Sequence, residues 1–536
     1  MSGGVAIDAQ ERSRASLALV PLHPVLFAAY AVLFLYASNI SELTASDVLQ
    51  PLTIAVLGAS TVLLLMGIVL RSLTRAAIVT SAVVVAFFGY GHAERLLASL
   101  GLALRTQLVA WGSLVVLAAM LAIRSRQPLP RLTAFLNAVA SILIIMALVT
   151  IVPREIERAA VSPGDPTTGA VQAGDGATSL QRDIYYLVFD RYGSEWSLRY
   201  HFGIDSDLPE WLSDRGFQVA TNSHANYRAT DFSLAATLNM TYLDHLTTRY
   251  GRDTADRTPA RAMIPGHAVG RFLQAQGYRY VHLGSWFAPT ATNPQADESR
   301  AYDPESEFSA VLRETTIVPA VRRLAGEQDQ APTFRERHGR IAEFQFRELA
   351  HIRDEPGPKF VFAHVLLPHS PYVFRADGRP LTKEEEASQP ESRSYGGQLA
   401  YTDARIRKTV EDLLTVPPED QPIIIVQGDE GPYVRTDIDW SDREAEYLQV
   451  RFGILNAMYL PDADPGTVHA FITSVNTFRL IFSRYFGADL PLLPDRSFTW
   501  RGNEDIYDFR DVTGVIATPP DVPPLDTVPS PGVLPP

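Results

Sequence analysis

Five apolar stretches in the first 152 residues constrain this chain more than any other feature. They run over 21–38, 52–70, 76–91, 107–123 and 132–152, one after another with short polar joints. A helix crosses the hydrocarbon of a bilayer with roughly 20 apolar residues, in a working range of about 17–25. The series predicts a membrane domain of about five helices over 21–152, with 76–91 the shortest. The first stretch has the length of a span and more spans follow it, so it does not read as a cleavable signal. No acidic or basic residue sits in the middle of a span, so nothing marks an ion pathway. The spans read as an anchor.

Lys and Arg near the span ends set the expected orientation. Arg12, Arg14, Arg71, Arg75, Arg124, Arg126 and Arg131 fall on one side. Arg95, Arg105, Arg154 and Arg158 fall on the other. Seven against four places residues 1–20 in the cytoplasm, and five spans then place everything after Val152 outside. The expected localisation is the plasma membrane, multi-pass, with an extracytoplasmic C-terminal part.

The remainder of the chain has a different character. The mean hydropathy of 0.00 averages the apolar first part with an acidic second part. The net charge of −13 arises wholly after residue 180. An acidic surface excludes nucleic acid as a partner, since phosphate backbones bind cationic surfaces. Cysteine is absent, which removes disulfides, thiolate metal sites and Cys nucleophiles together.

Residues 153–181 read as a flexible linker rich in Gly, Pro, Ala and Thr. Residues 513–536 hold eight prolines and read as a disordered tail. Between them, over 182–512, strand and helix signals alternate. Strands are expected at 183–190 (DIYYLVFD), 278–283, 359–366 (KFVFAHVL) and 422–427 (PIIIVQ). Helices are expected at 209–215, 230–240, 270–276 and 401–414. Continuous apolar strands between helices predict an α/β domain with a mainly parallel sheet sandwiched by helices. Ligands in such sheets sit at the carboxyl ends of the strands.

Two predicted strands end in carboxylates, Asp190 after the first and Asp429-Glu430 after the last. Carboxylates gathered at neighbouring strand ends repel unless a cation joins them, and oxygen ligands suit a hard divalent ion. They also serve as ordinary turn or cap residues. In NYRATDFSLAATLN (226–239), Thr230 stands at a predicted helix start and Ser233 one turn on. Thr230 is either a simple cap or a hydroxyl nucleophile at a positive helix end. His364 lies within a strand and reads as a core residue. His369, between Pro368 and Pro371 in the following loop, is better placed to meet a substrate. Arg191 and Arg228 stand beside the candidate ligands, where they can neutralise a phosphate or make surface ion pairs.

These pieces, in this order, resemble the alkaline-phosphatase/sulfatase superfamily. The likeness is to its membrane-anchored branch, which includes lipoteichoic acid synthases and phosphoethanolamine transferases. It covers about 182–512 and implies an alkaline-phosphatase-like fold. It implies that Asp190, Thr230 and Asp429 hold one metal, that Thr230 is the covalent nucleophile, and that His369 in PHSPY contacts substrate. Arg228, Arg191 and Ser233 become substrate-binding residues. RFGILNAMYLP (451–461) and VNTFR (475–479) resemble the late strand and helix start of these domains. Where the family has Asp-His-Gly, this chain has Asp429-Glu430-Gly431. Glu430 then becomes the fourth metal ligand, in an all-oxygen shell suited to Mn²⁺, with Mg²⁺, Ca²⁺ or Zn²⁺ as alternatives. Formylglycine chemistry requires Cys or Ser in a Cys/Ser-x-Pro-x-Arg setting, and Ser233 is followed by Leu-Ala-Ala.

Two functions are carried forward. One is a metal-dependent phospho-group transferase or hydrolase acting on membrane lipid head groups or envelope glycans. The other is a degraded envelope protein that binds such substrates without turnover.

Overall fold

The computed structural model describes residues 20–125, 129–160, 181–302, 305–326, 333–433 and 444–517. It divides into two compact units. One comprises Met1–Ser162 with Glu305–Pro332, the other Pro163–Pro304 with Thr333–Pro536. Residues 153–160 of the predicted linker continue the helix Pro130–Ala160, and 513–516 of the predicted tail form a short helix; 161–180 and the chain from residue 518 lie outside the described residues.

The first unit is built on five helices: α1 (His23–Ser38), α2 (Ala45–Leu70), α3 (Leu73–Ser99), α4 (Leu104–Arg124) and α5 (Pro130–Ala160). Four of them, α2 to α5, are long and apolar enough to cross a membrane. The shortfall lies at α1 rather than at the third stretch, which becomes a 27-residue helix. With 16 residues, α1 is roughly 24 Å long against about 30 Å of hydrocarbon. Only 6% of the most apolar window of α2 is buried within the protein. Ile68 and Val69 are exposed at 74% and 70%, a surface that water would not tolerate and lipid would. No side chain of its own caps α1. Asn137 of α5 does so, its Oδ1 accepting from the amides of Leu22 (3.1 Å) and His23 (2.9 Å).

Two short helices, Glu307–Thr315 and Val318–Leu324, belong to this unit although they interrupt the soluble stretch in sequence. Phe308 enters the cluster of Val32, Tyr36, Val48, Ala147 and Ile151. The Ile317 amide donates to the Phe87 carbonyl at 2.9 Å, and Arg323 pairs with Glu94. By sequence position this segment falls within 182–512. Its apolar stripe is covered by the membrane helices instead.

The second unit is an α/β domain. Its seven strands are β1 (Ile184–Phe189), β2 (Gln218–Val219), β3 (Arg279–Leu283), β4 (Glu298–Arg300), β5 (Lys359–Val365), β6 (Ile423–Gly428) and β7 (Asn456–Tyr459). Their order is β2-β7-β6-β1-β5-β3-β4. From β6 to β4 all pairings are parallel, while β7 and β2 run antiparallel along one edge. A small second sheet pairs β8 (Phe498–Thr499) with β9 (Arg510–Asp511).

Alternation along β1 feeds two cores. Ile184, Tyr186 and Val188 face one cluster; Tyr185, Leu187 and Phe189 face the other. The first core is closed by α6 (Thr230–Asn239), α7 (Ala268–Ala275) and α11 (Thr477–Phe486), through Phe232, Phe272 and Phe478. The second is closed by α8 (Phe334–Arg353) and α9 (Glu391–Leu413), through Phe346 and Leu399. A further helix, α10 (Glu444–Phe452), leads into β7. Apolar residues on both faces explain why IYYLVF and IIIV read as unbroken hydrophobic runs. The central strands β1, β5 and β6 lie side by side, so the residues that follow them emerge together.

Candidate active site

Register brings the carboxylates together. Phe189 pairs with Gly428 across β1 and β6, so Asp190 and Asp429, each the next residue, leave the sheet as neighbours. Val188 pairs with His364 across β1 and β5. The His364 Nε2 lies 3.6 Å from Asp190 Oδ2. One ligand atom each from Asp190, His364 and Asp429 lies within 4.8 Å of the other two, and all three residues are buried. His364, read from sequence as a core residue, is thus part of this cluster.

The same three residues carry unpartnered polar atoms. Asp190 Oδ1, Asp429 Oδ2 and His364 Nε2 are buried without a hydrogen-bond partner among the described residues. Folded proteins rarely leave buried acceptors orphaned, and three orphans converging is the donor set of a cation site. The electrostatics agree. Burial opposes ionisation of Asp190, but His369, His364 and Arg191 outweigh it and hold its pKa down at about 2. The pKa of Asp429 is driven well above the usual carboxylate range by burial, then by Asp190 and Glu430. Two buried carboxylates side by side cannot both ionise cheaply, and a divalent cation removes that conflict. The residues present therefore fit a divalent ion held by two carboxylates and one imidazole.

Glu430 is committed elsewhere. Its Oε1 meets Arg191 Nε at 3.1 Å and its Oε2 meets Arg451 Nη2 at 3.0 Å. Arg451 also donates to the carbonyls of Gly431 (2.9 Å) and Arg228 (2.8 Å). Glu430, expected as a ligand in an all-oxygen shell, stands outside the cluster of possible ligands, which is Asp190, His364 and Asp429. The physical reason is the pair of guanidinium partners. Gly431 permits the close path, since a Cβ there would overlap the Val450 carbonyl. Arg191, expected to bind substrate, is left-handed (φ 63°) and turns its amide onto Asp429 Oδ1 at 3.0 Å. Its side chain serves Glu430.

Thr230 is the first residue of α6. The cap position belongs to Ala229, in extended conformation and without a side-chain cap. The simple capping role for Thr230 therefore does not hold. Its half-buried hydroxyl acts on Asp429 and favours the ionised carboxylate, although Oδ2 still lacks a full hydrogen bond. The helix start is pinned by Asp231, whose buried carboxylate meets Arg257 at 2.9 and 3.1 Å and Arg261 at 3.1 Å. Anions are favoured at such a helix start. Arg228 stacks on Trp500, 4.4 Å from the ring centroid, and forms no ion pair among the described residues. A half-buried guanidinium without a carboxylate is an anion-seeking group. Ser233 lies one turn beyond Thr230 and is buried at 1% exposure.

His369 follows β5. Its Nδ1 contacts the Ser370 carbonyl, which requires the proton on Nδ1 and leaves Nε2 free to accept. Burial lowers its pKa, against the pull of Asp190. The ring also packs edge-on to Trp286, at 5.7 Å between centroids. Trp286 carried no signal in the sequence, and Arg451 entered only as the first residue of RFGILNAMYLP, with no role attached. His364 lies in a run that reads as a strand, but only the pairing of β5 with β1 sets it beside Asp190.

Residues 205–480, just over half of the chain, match the sulfatase family. The chain belongs to the sulfatase family. A search of curated proteins finds no match. Among solved structures, this sulfatase-family chain is similar to the C-terminal periplasmic domain of EcEptC from Escherichia coli. Identity is 12%, with 64% of this chain and 95% of that chain covered and a TM-score of 0.40. The soluble domain of lipooligosaccharide phosphoethanolamine transferase A from Neisseria meningitidis gives 12% identity, 64% and 96% coverage and a TM-score of 0.38. Ps i-CgsB gives 14% identity, 58% and 73% coverage and a TM-score of 0.37.

Proposed function

We propose that this protein is a membrane-anchored, metal-dependent phospho-group transferase or hydrolase working through Thr230 on lipid head groups or envelope glycans. The observation that carries the reading is the set of three orphaned ligand atoms on Asp190, His364 and Asp429 beside the Thr230 hydroxyl. A degraded binding protein has no reason to keep such a cluster buried and unpaired. Family membership alone would suggest sulfate esters. The chain lacks the Cys/Ser-x-Pro-x-Arg setting for that chemistry and has a threonine at the helix start.

When bound, a divalent cation lowers the pKa of a hydroxyl and neutralises charge developing on a phosphoryl group. Asp190, His364 and Asp429 would hold it. Carboxylates suit Mn²⁺, and the imidazole brings Zn²⁺ level with it as a candidate. Thr230 Oγ1 attacks phosphorus and its proton passes to the Asp429 carboxylate it faces. The P–O bond to the leaving group breaks, Asp429 passes that proton to the departing oxygen, and a Thr230 phosphoester is left. The phosphoryl oxygens are favoured by the start of α6 and by the Arg228 guanidinium. In the second half, His369 Nε2 takes the proton of the entering water or alcohol, whose oxygen displaces Thr230, and that proton passes to Thr230 Oγ1 as its P–O bond breaks. The Arg asymmetry of the sequence supports an extracytoplasmic, plasma-membrane setting for this unit.

The test is mass spectrometry of full-length protein incubated with Mn²⁺ and a phosphoethanolamine-bearing phospholipid, or with phosphatidylglycerol. A head-group adduct on the Thr230 peptide is expected. An adduct on Ser233, or full turnover by Thr230→Ala, contradicts the assignment.

A further inference from the structure

A third imidazole near the site has no part in the reaction above. His338 lies on α8 and is 1% exposed. Its Nδ1 stands 2.5 Å from the indole Nε1 of Trp286. An indole N–H only donates, so Nδ1 must accept, and an accepting Nδ1 carries no proton. The single proton of the ring is therefore on Nε2. That N–H is buried and has no hydrogen-bond partner among the described residues.

The surroundings say where it can be used. The Trp286 indole packs against His338 at 5.9 Å and against His369 at 5.7 Å between centroids, so both imidazoles border one ring. His338 feels the charges of His369 and Asp190. The chain after β3 organises the whole group. Phe287 packs edge-on to His364 at 5.9 Å, and the Thr290 hydroxyl sits 3.0 Å from His364 Nδ1. Burial, then His369, depress the His338 pKa to about 3, which keeps the ring neutral in agreement with its hydrogen bond.

We propose that the Nε2–H of His338 donates to an oxygen of the phosphoryl group bound at the Thr230 site, with Trp286 fixing the tautomer. The inference rests on the phosphoryl-transfer reading above. A neutral donor suits a tetrahedral oxyanion whose charge is already matched by Arg228, because it adds direction without adding charge.

The experiment measures inorganic phosphate binding by calorimetry to the full-length protein in nanodiscs with Zn²⁺ present. Wild type is compared with His338→Phe, His338→Gln and Trp286→Phe. The Gln side chain returns an N–H near the Nε2 position. His338→Phe should weaken phosphate binding at least tenfold, and His338→Gln should stay within threefold of wild type. Trp286→Phe, which frees the tautomer, should weaken binding threefold or more with an unchanged circular dichroism spectrum. Equal binding by wild type and His338→Phe overturns the donor role alone. Equal losses in the Gln and Phe variants overturn it in favour of packing, and unchanged binding by Trp286→Phe overturns the tautomer clamp. If His338→Phe does not fold, the Gln and Trp286 variants decide. No phosphate binding by wild type overturns the phosphoryl-transfer reading and the donor with it.

Discussion

Replacing Glu430 by glutamine separates a structural carboxylate from a metal ligand. In the structure this side chain is 4% exposed and lies between Arg191 at 3.1 Å and Arg451 at 3.0 Å. Arg451 is itself only 9% exposed. Removing one partner of a buried ion pair costs about 3–5 kcal/mol, because a desolvated charge is left behind. Two charge-assisted hydrogen bonds at about 1.5–3 kcal/mol each give the same range. For a unit of this size that corresponds to a fall in Tm of about 6–10 °C, at roughly 2 °C per kcal/mol. Divalent cation affinity should change by less than about threefold, since the ligands are Asp190, His364 and Asp429. The assay is thermal unfolding followed by tryptophan fluorescence, paired with calorimetric titration of Mn²⁺. The double variant with Arg451→Met should lose less than the two single losses combined, because Arg451 no longer stands unpaired. A Glu430→Gln protein as stable as wild type but tenfold weaker for Mn²⁺ would refute the assignment and restore Glu430 as a ligand.

Three further outcomes follow from other parts of the molecule. Thr230→Ala should abolish turnover with a stability change below about 1 kcal/mol, since Ala229 holds the cap position; Thr230→Ser should retain activity, and equal activity in wild type and Thr230→Ala removes the nucleophile. Asp403 accepts from Tyr192 Oη at 2.5 Å and Ser206 Oγ at 2.8 Å, and burial raises its pKa to about 6. A raised acid contributes stability fully below its unfolded pKa of 3.8 and loses it as pH rises through about 6. The stability difference between wild type and Asp403→Asn should therefore fall by about 2 kcal/mol between pH 4 and 7, and a flat difference contradicts the burial argument. A reporter active only outside the cytoplasm, fused at Pro536, should be active, and activity of a cytoplasm-only reporter there would reverse the topology.

Much of the fold was legible because its signals are local. IYYLVF and IIIV announce strands buried on both faces, and the carboxylates that end them announce a site at the strand ends. Thr230 was legible as a helix start, but its rank within the start was not. Cap and first helical residue differ by one position, and only the extended backbone of Ala229 distinguishes them. Glu430 misled because ligand and salt bridge look alike until the partner is known, and Arg451 lies on another helix. His364 was hidden by a sound rule, that strand histidines are core residues. The rule fails where a neighbouring strand ends in a carboxylate. Phe308 and its helices were placed with the soluble domain because sequence adjacency says nothing of which core covers an apolar stripe.

The central claim is that two carboxylates and one imidazole seat a divalent ion beside Thr230. Anomalous diffraction from crystals of the full-length protein grown with Mn²⁺, recorded on both sides of the manganese edge, tests it most directly. The expected map has one strong peak bounded by Asp190, His364 and Asp429, at about 2.0–2.6 Å from their ligand atoms, with Glu430 still on its two arginines. A peak bound by Glu430 and remote from His364, or no peak among the three residues, would contradict the account.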